Sequence, residues 1–280
     1  MASLAGLGTA WAGRDLPLAK RLAVSVAAGV AVAGGVRADN RREREARNVA
    51  DAASLGAAVG GAAPLFGGWA IEADFAAIIA RNVEHGAEVV VECGAGASTL
   101  VIAAMLQRTG RGRLVSLEHD RAYAERIRRV VDAAGLGGRV EVVVAPLRPC
   151  AVGGREVPWY DIAIATDALG GAVDLLVVDG PPQYTRWSRW PALPVLHGHL
   201  ADDATVLVDD GRTSAALATT RAWTRAFPDM QRYWLDSLKG TWMLERRHAA
   251  SRRRLADALL PVVSAVHPRP SGSGLWPVRR

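Results

Sequence analysis

Apolar residues follow two different patterns along this chain, and the change comes near residue 67. Ahead of it, Leu22 to Val36 is an unbroken run of Ala, Val, Gly, Leu and Ser between Lys20-Arg21 and Arg37. That run is shorter than the ~20 apolar residues a helix needs to cross a bilayer. It fits a helix that is buried, packs in an oligomer or contacts a membrane, and Ala31-Val-Ala33 also has the form of a signal-peptide cleavage site. Arg37 to Arg47 mixes acids and bases at helical spacing, which predicts a solvated helix face. Gly60-Gly61, Pro64 and Gly67-Gly68 then punctuate the chain, so residues 1–66 read as an N-terminal helical extension.

After that boundary, short β-branched runs alternate with amphipathic stretches. The pattern predicts a helix over Ile71 to His85, with Ile71, Phe75, Ile78 and Ile79 on one side. A strand over Glu88 to Glu92 and a helix over Ser98 to Arg108 follow. Next come a strand over Arg113 to Glu118, a helix over Arg121 to Ala134 and a strand over Val140 to Ala145. Asp174 to Asp179 is a fourth strand, and a helical stretch over Leu193 to Leu200 leads to a fifth over Thr205 to Asp209. Such runs, separated by helices, predict a doubly wound, mostly parallel α/β sheet covered on both faces. After a helix over Ser214 to Phe227, the strands Gln231 to Leu235 and Thr241 to Glu245 are only five residues apart. That gap is too short for a crossover helix, so the two should pair as an antiparallel hairpin. Residues 246–280 read as a tail, with one helix over Arg252 to Leu260.

Charge narrows the range of partners. The whole chain carries +6, but residues 246–280 hold eight arginines against Asp257 alone, a balance of +7 that leaves residues 1–245 at −1. The basicity belongs to the tail, so no nucleic-acid-binding face is expected on the domain. Two cysteines, Cys93 and Cys150, are too few for a disulfide framework and lack zinc-site spacing. A cytoplasmic protein is expected, attached to the inner face of the membrane if residues 22–36 bind there, because arginines are denser after the run than before it. Self-association through the same run would make a homo-oligomer.

Candidate chemistry clusters at strand ends. In Glu92-Cys93-Gly94-Ala95-Gly96-Ala97-Ser98-Thr99, two glycines allow a sharp turn and close approach of a ligand, and Ser98 can cap the next helix. Position 99 is Thr, so the third glycine of a dinucleotide fingerprint is missing. Glu118 lies 22 residues beyond Gly96, near the ~20 at which a carboxylate takes ribose hydroxyls. His119 follows it, and Asp120 is placed to cap the next helix. Asp179 and the pair Asp209-Asp210 end adjacent strands. Three carboxylates there suit Mg²⁺ or Mn²⁺; without a cation one becomes a general base, and Asp209 or Asp210 can instead cap the following helix. Tyr184, Trp187 and Trp190 are candidates for an acceptor pocket.

Taken in order, Val91 to Leu100, Ser116 to Asp120, Asp174 to Pro182 and Lys239-Gly-Thr241 resemble motifs of class I S-adenosylmethionine-dependent methyltransferases, in particular a bacterial group carrying DLLVVDGPP. The similarity runs from about Gly67 to Glu245 and makes residues 67–245 the expected domain. It implies a seven-stranded sheet and S-adenosylmethionine as cofactor. Glu92, Gly94, Gly96 and Ser98 would surround the methionine part, Glu118 would hold the ribose, Asp179 would lie beside the sulfonium, and His119 would also contact the cofactor. Likeness to the cation-dependent O-methyltransferases would make Asp179, Asp209 and Asp210 metal ligands, with Asp179 and Asp210 catalytic, although those enzymes present Asp-Asn where this chain has Asp209-Asp210. The implied reaction is O-methylation of a small-molecule or sugar hydroxyl. Two other readings remain at this point: a NAD(P)-dependent oxidoreductase on a related sheet, and a membrane-tethered module that binds the cofactor without turnover.

Overall fold

The computed structural model describes residues 40–57, 66–68 and 70–246; the run 22–36 and the expected tail helix 252–260 lie outside them. The chain divides into two compact units, Met1–Arg47 and Asn48–Arg280. Residues 40–57 are helical (α1), and Arg41 to Arg47 are exposed or half-exposed, as their alternating charges require. No helix among the described residues is long and apolar enough to cross a membrane.

In the second unit, helix α2 (Ala73–Glu84) precedes β1 (Val89–Cys93), α3 (Ala97–Thr109), β2 (Arg113–Glu118), α4 (Arg121–Ala133) and β3 (Val140–Val144). A hairpin, β4 (Leu147–Val152) and β5 (Arg155–Tyr160), and a short helix, α5 (Ile162–Asp167), come next. Then follow β6 (Val173–Val178), α6 (Ala192–Leu196), β7 (Leu200–Val208), α7 (Ser214–Ala226), β8 (Met230–Leu235) and β9 (Thr241–Arg246). Seven strands form one sheet in the order β3-β2-β1-β6-β7-β9-β8. The pairs from β3 to β7 are parallel, whereas β9 runs antiparallel to both β7 and β8. This is the predicted doubly wound sheet with its terminal antiparallel hairpin.

Alternation along the central strands feeds two cores. Val90, Leu114, Leu175 and Val177 pack with α2, α3 and α4. Val91, Val115, Leu176 and Val178 point the other way, onto Trp159, Tyr160, Trp190, Leu193 and Trp223. Both faces are covered, which is why these strands read as continuous apolar runs rather than as alternating ones. Phe75, Ile78 and Ile79 of α2 are all buried, as is Ile71 just ahead of it.

The hairpin β4–β5 and helix α5 were not foreseen. Pro149 and Pro158 stand opposite each other in the hairpin, and Gly153 and Gly154 turn it with positive φ. Proline removes ladder donors, so this two-stranded sheet stays separate from the main one and carries little apolar periodicity. Strand β7 also starts earlier than predicted, at Leu200, because exposed Asp202 and Asp203 interrupt its apolar run.

Helix starts follow short polar side chains, though not always the expected ones. Asp120 does cap α4, accepting the Tyr123 N–H at 2.9 Å. Ser98 does not cap α3: it is buried inside the helix, and the Thr99 hydroxyl accepts the Gly96 N–H instead (2.8 Å). Neither Asp209 nor Asp210 caps α7; Thr213 does, accepting the Ala216 N–H at 3.1 Å. Thr213→Ala should therefore lower stability by about 1 kcal/mol in urea unfolding, and an unchanged midpoint would show that the cap contributes nothing.

Candidate active site

The carboxyl ends of β1, β2, β6 and β7 meet at one rim, the edge where open parallel sheets bind ligands. Main-chain contacts close the rim between β1 and β6. Cys93 O accepts the N–H groups of Asp179 (3.1 Å) and Gly180 (2.5 Å). Gly94 has φ +99°, and a Cβ there would lie 3.0 Å from Gly180 N. Only glycine meets both demands without strain.

Glu92 anchors the turn from below. It is fully buried, and its Oε2 accepts the hydroxyls of Thr99 (2.6 Å) and Ser116 (2.7 Å), tying β1 to α3 and β2. Its Oε1 has no partner. Burial pushes its carboxyl up to about 7, against the lowering effect of its hydroxyl donors.

A cavity of about 770 Å³ opens at the rim, within the range of small-ligand sites. Of the residues singled out from the sequence, Gly94, Glu118, His119, Asp120, Asp179, Tyr184 and Asp210 line it. Glu118 is mostly buried; one oxygen accepts the Asp120 N–H at 2.8 Å, with His119 Nδ1 2.7 Å from the same oxygen. Glu92, Gly96, Ser98 and Asp209 are not on the wall. The Glu92 side chain and the Gly96 main chain hold the turn from behind.

Asp179, Asp209 and Asp210 do converge, each offering an oxygen within 4.8 Å of the others. Asp209 is buried at the end of β7 and neither carboxylate oxygen has a partner. Burial first, then the charges of Asp179 and Asp210, raise its carboxyl above the usual carboxylate range. Burial also raises the Asp179 carboxyl, while the charge of Arg189 pulls it back. Asp210 turns with φ +55°, the only non-glycine residue of positive φ among the described residues; Asp tolerates this conformation better than most side chains.

Five cavity residues were missed from the sequence: Tyr123, Tyr160, Gln183, Arg189 and Thr213. Arg189 matters most. Its Nη2 donates to Asp179 Oδ1 and Asp210 Oδ2, both at 3.1 Å, and its Nη1 donates to the Asp209 carbonyl at 3.3 Å. The neighbouring tryptophans fix its position. The Trp190 indole donates to Val152 O (3.1 Å), and Trp190 O accepts the Trp223 indole (2.8 Å). The Arg155 guanidinium lies over the rings of Trp187 (4.1 Å) and Trp190 (4.5 Å), where cation–π attraction holds the segment to the hairpin. Of the aromatic candidates for an acceptor pocket, Tyr184 therefore lies on the cavity wall, while Trp187 and Trp190 support it from the hairpin side. The one available signal was an arginine enclosed between two tryptophans in Trp187-Ser-Arg-Trp190. Lys239, from the turn between β8 and β9, completes the rim by donating to Gly68 O (3.1 Å) and Ala70 O (2.8 Å).

A doubly wound sheet with a glycine turn after its first strand, an acid ending the second and carboxylates ending the next two defines a protein that binds a nucleotide-containing cofactor at the strand ends. Residues 91–211 match the family model described as a methyltransferase domain. The nicotinamide reading is thereby set aside. No curated protein matches the chain. Among solved structures, the chain is similar to cofactor-bound Rv0187 from MTB, with 21% identity over 71% of this chain and 90% of that one and a TM-score of 0.49. It is also similar to the O-methyltransferase from Bacillus cereus in complex with SAH (18% identity, 75% and 91% covered, TM-score 0.47). A third is the O-methyltransferase TomG from Streptomyces achromogenes, involved in tomaymycin synthesis, in complex with SAM (18% identity, 62% and 78% covered, TM-score 0.46).

Proposed function

We propose that residues 67–245 transfer the methyl group of S-adenosylmethionine to a hydroxyl of a small-molecule or sugar acceptor. The observation that carries this reading is that Glu118, Asp179 and Asp210 open onto one cavity at the carboxyl ends of three strands. The residues present suit the cofactor: a glycine turn brings bare main chain to the wall, and the carboxylate at the end of β2 faces the cavity.

S-adenosylmethionine supplies a methyl group activated by positively charged sulfur. Glu118 would accept hydroxyl protons of the ribose, and the turn at Gly94 and Ala95 would bound the methionine part. Asp179, partly open to the cavity, favours positive charge beside it. Asp210 would accept the proton that an acceptor hydroxyl loses, and Tyr184 and Pro182, on the same cavity wall, would meet the acceptor. Holding both reactants in one enclosed site converts an encounter into an oriented reaction. Contact of residues 22–36 with a membrane, or with a second copy of the chain, is part of the same proposal and is tested by fractionation with and without that run.

Calorimetry with the full chain should show binding of S-adenosylmethionine and of its demethylated product. Glu118→Ala should weaken both by roughly 1–3 kcal/mol, or 5- to 150-fold, through loss of charge-assisted hydrogen bonds. Unchanged affinity in that variant removes Glu118 from the site, and no binding by the wild type overturns the reading.

A further inference from the structure

We propose that Arg189 takes the place of a divalent cation at the carboxylate cluster, so that this methyltransferase orders its acceptor site without a metal. The inference rests on the function proposed above and concerns the same site. Three strand-end carboxylates within 4.8 Å would ordinarily suit a hard cation. Here the position between two of them is already filled. A single nitrogen, Arg189 Nη2, is 3.1 Å from Asp179 Oδ1 and 3.1 Å from Asp210 Oδ2. A magnesium or manganese ion bridging the same two oxygens would need to lie about 2.0–2.3 Å from each, in the space the guanidinium occupies.

Arg189 is also not free to withdraw. Its side chain is 7% exposed, its second nitrogen donates to the Asp209 carbonyl, and the next residue, Trp190, is fastened at its indole and its carbonyl. The guanidinium supplies a permanent positive charge in a fixed fork, the geometry best suited to holding two carboxylates at once. A metal would bind the acceptor oxygen directly. Arg189 touches carboxylates instead, so it is a positioning residue: it holds Asp179 and Asp210 together on the wall of one cavity. Asp209, whose carboxylate oxygens lack partners, is the one ligand Arg189 leaves to a cation, and for that reason the decisive measurement is metal binding itself.

The probe is Mn²⁺, followed by electron paramagnetic resonance on the intact protein. The wild type should bind none at millimolar concentration. Arg189→Met, checked for fold by circular dichroism, should gain one Mn²⁺ site because two carboxylates are released. Arg189→Lys should still exclude the ion, because an ammonium retains the charge. Stoichiometric Mn²⁺ binding by the wild type overturns the proposal, whatever the variants do. Failure of a folded Arg189→Met to gain a site also overturns it, because something other than Arg189 would then be excluding the ion. Calorimetry with S-adenosylmethionine on the same preparations keeps the two readings apart. Loss of cofactor binding in the wild type would sink the methyltransferase site, whereas the Mn²⁺ result bears only on Arg189.

Discussion

Asp210→Asn should leave the protein folded and able to bind S-adenosylmethionine while lowering turnover by about 100-fold or more, the usual contribution of a general base. Asparagine is the substitution that isolates the chemistry. It tolerates the left-handed conformation that Asp210 adopts at φ +55°, so the turn into α7 should keep its shape. It also retains an oxygen able to accept the Arg189 Nη2–H now given to Asp210 at 3.1 Å. What it loses is the capacity to take a proton from the acceptor. Steady-state kinetics over a panel of hydroxylated acceptors, with cofactor affinity from calorimetry alongside, would check this. Turnover within twofold of wild type would assign the proton to another group.

The second large effect is on stability. The Glu92 carboxyl is raised from an ordinary 4.5 to about 7, so the folded protein prefers it protonated. A raised carboxylate of this kind contributes stability that is fully present below its unfolded value and is lost as pH rises through the folded one. Relative to Glu92→Gln, which stays neutral at every pH, the wild type should therefore lose roughly 3 kcal/mol between about pH 4.5 and pH 7. Above that window the difference should be constant. Urea unfolding of both proteins at pH 5 and pH 8 measures it. The same gap at both values would mean that Glu92 is already ionised in the folded state. Gln also retains an oxygen for the Thr99 and Ser116 hydroxyls that hold the turn.

Elements with strong local signals were legible along the chain because they bury themselves locally. The apolar runs that became β1, β2, β3 and β6 were recognised within a residue or two, since a strand covered on both faces needs consecutive apolar side chains. The hairpin β8–β9 followed from a connection too short for a helix. Gly94, Glu118, Asp179 and Asp210 were singled out because a ligand-binding strand end needs a turn without side chains and a polar group beside it.

What lay beyond the sequence depended on partners distant along the chain. Pro149 and Pro158 hid the β4–β5 hairpin, because their pairing with each other leaves no alternating pattern. The surroundings of Glu92 were equally out of reach: Ser116 from the neighbouring strand donates to its carboxylate, which sits behind the cavity wall. Both helix caps that moved, one residue on to Thr99 and three beyond Asp210 to Thr213, depend on where the helix starts, which periodicity does not resolve. Above all, the charge that neutralises the carboxylate cluster comes from Arg189, 10 residues beyond Asp179 and 21 before Asp210. Nothing in the spacing announces it. Only the packing of Trp187 and Trp190 against the hairpin carries the guanidinium to the rim, and a long-range ion pair exists only once the chain has folded.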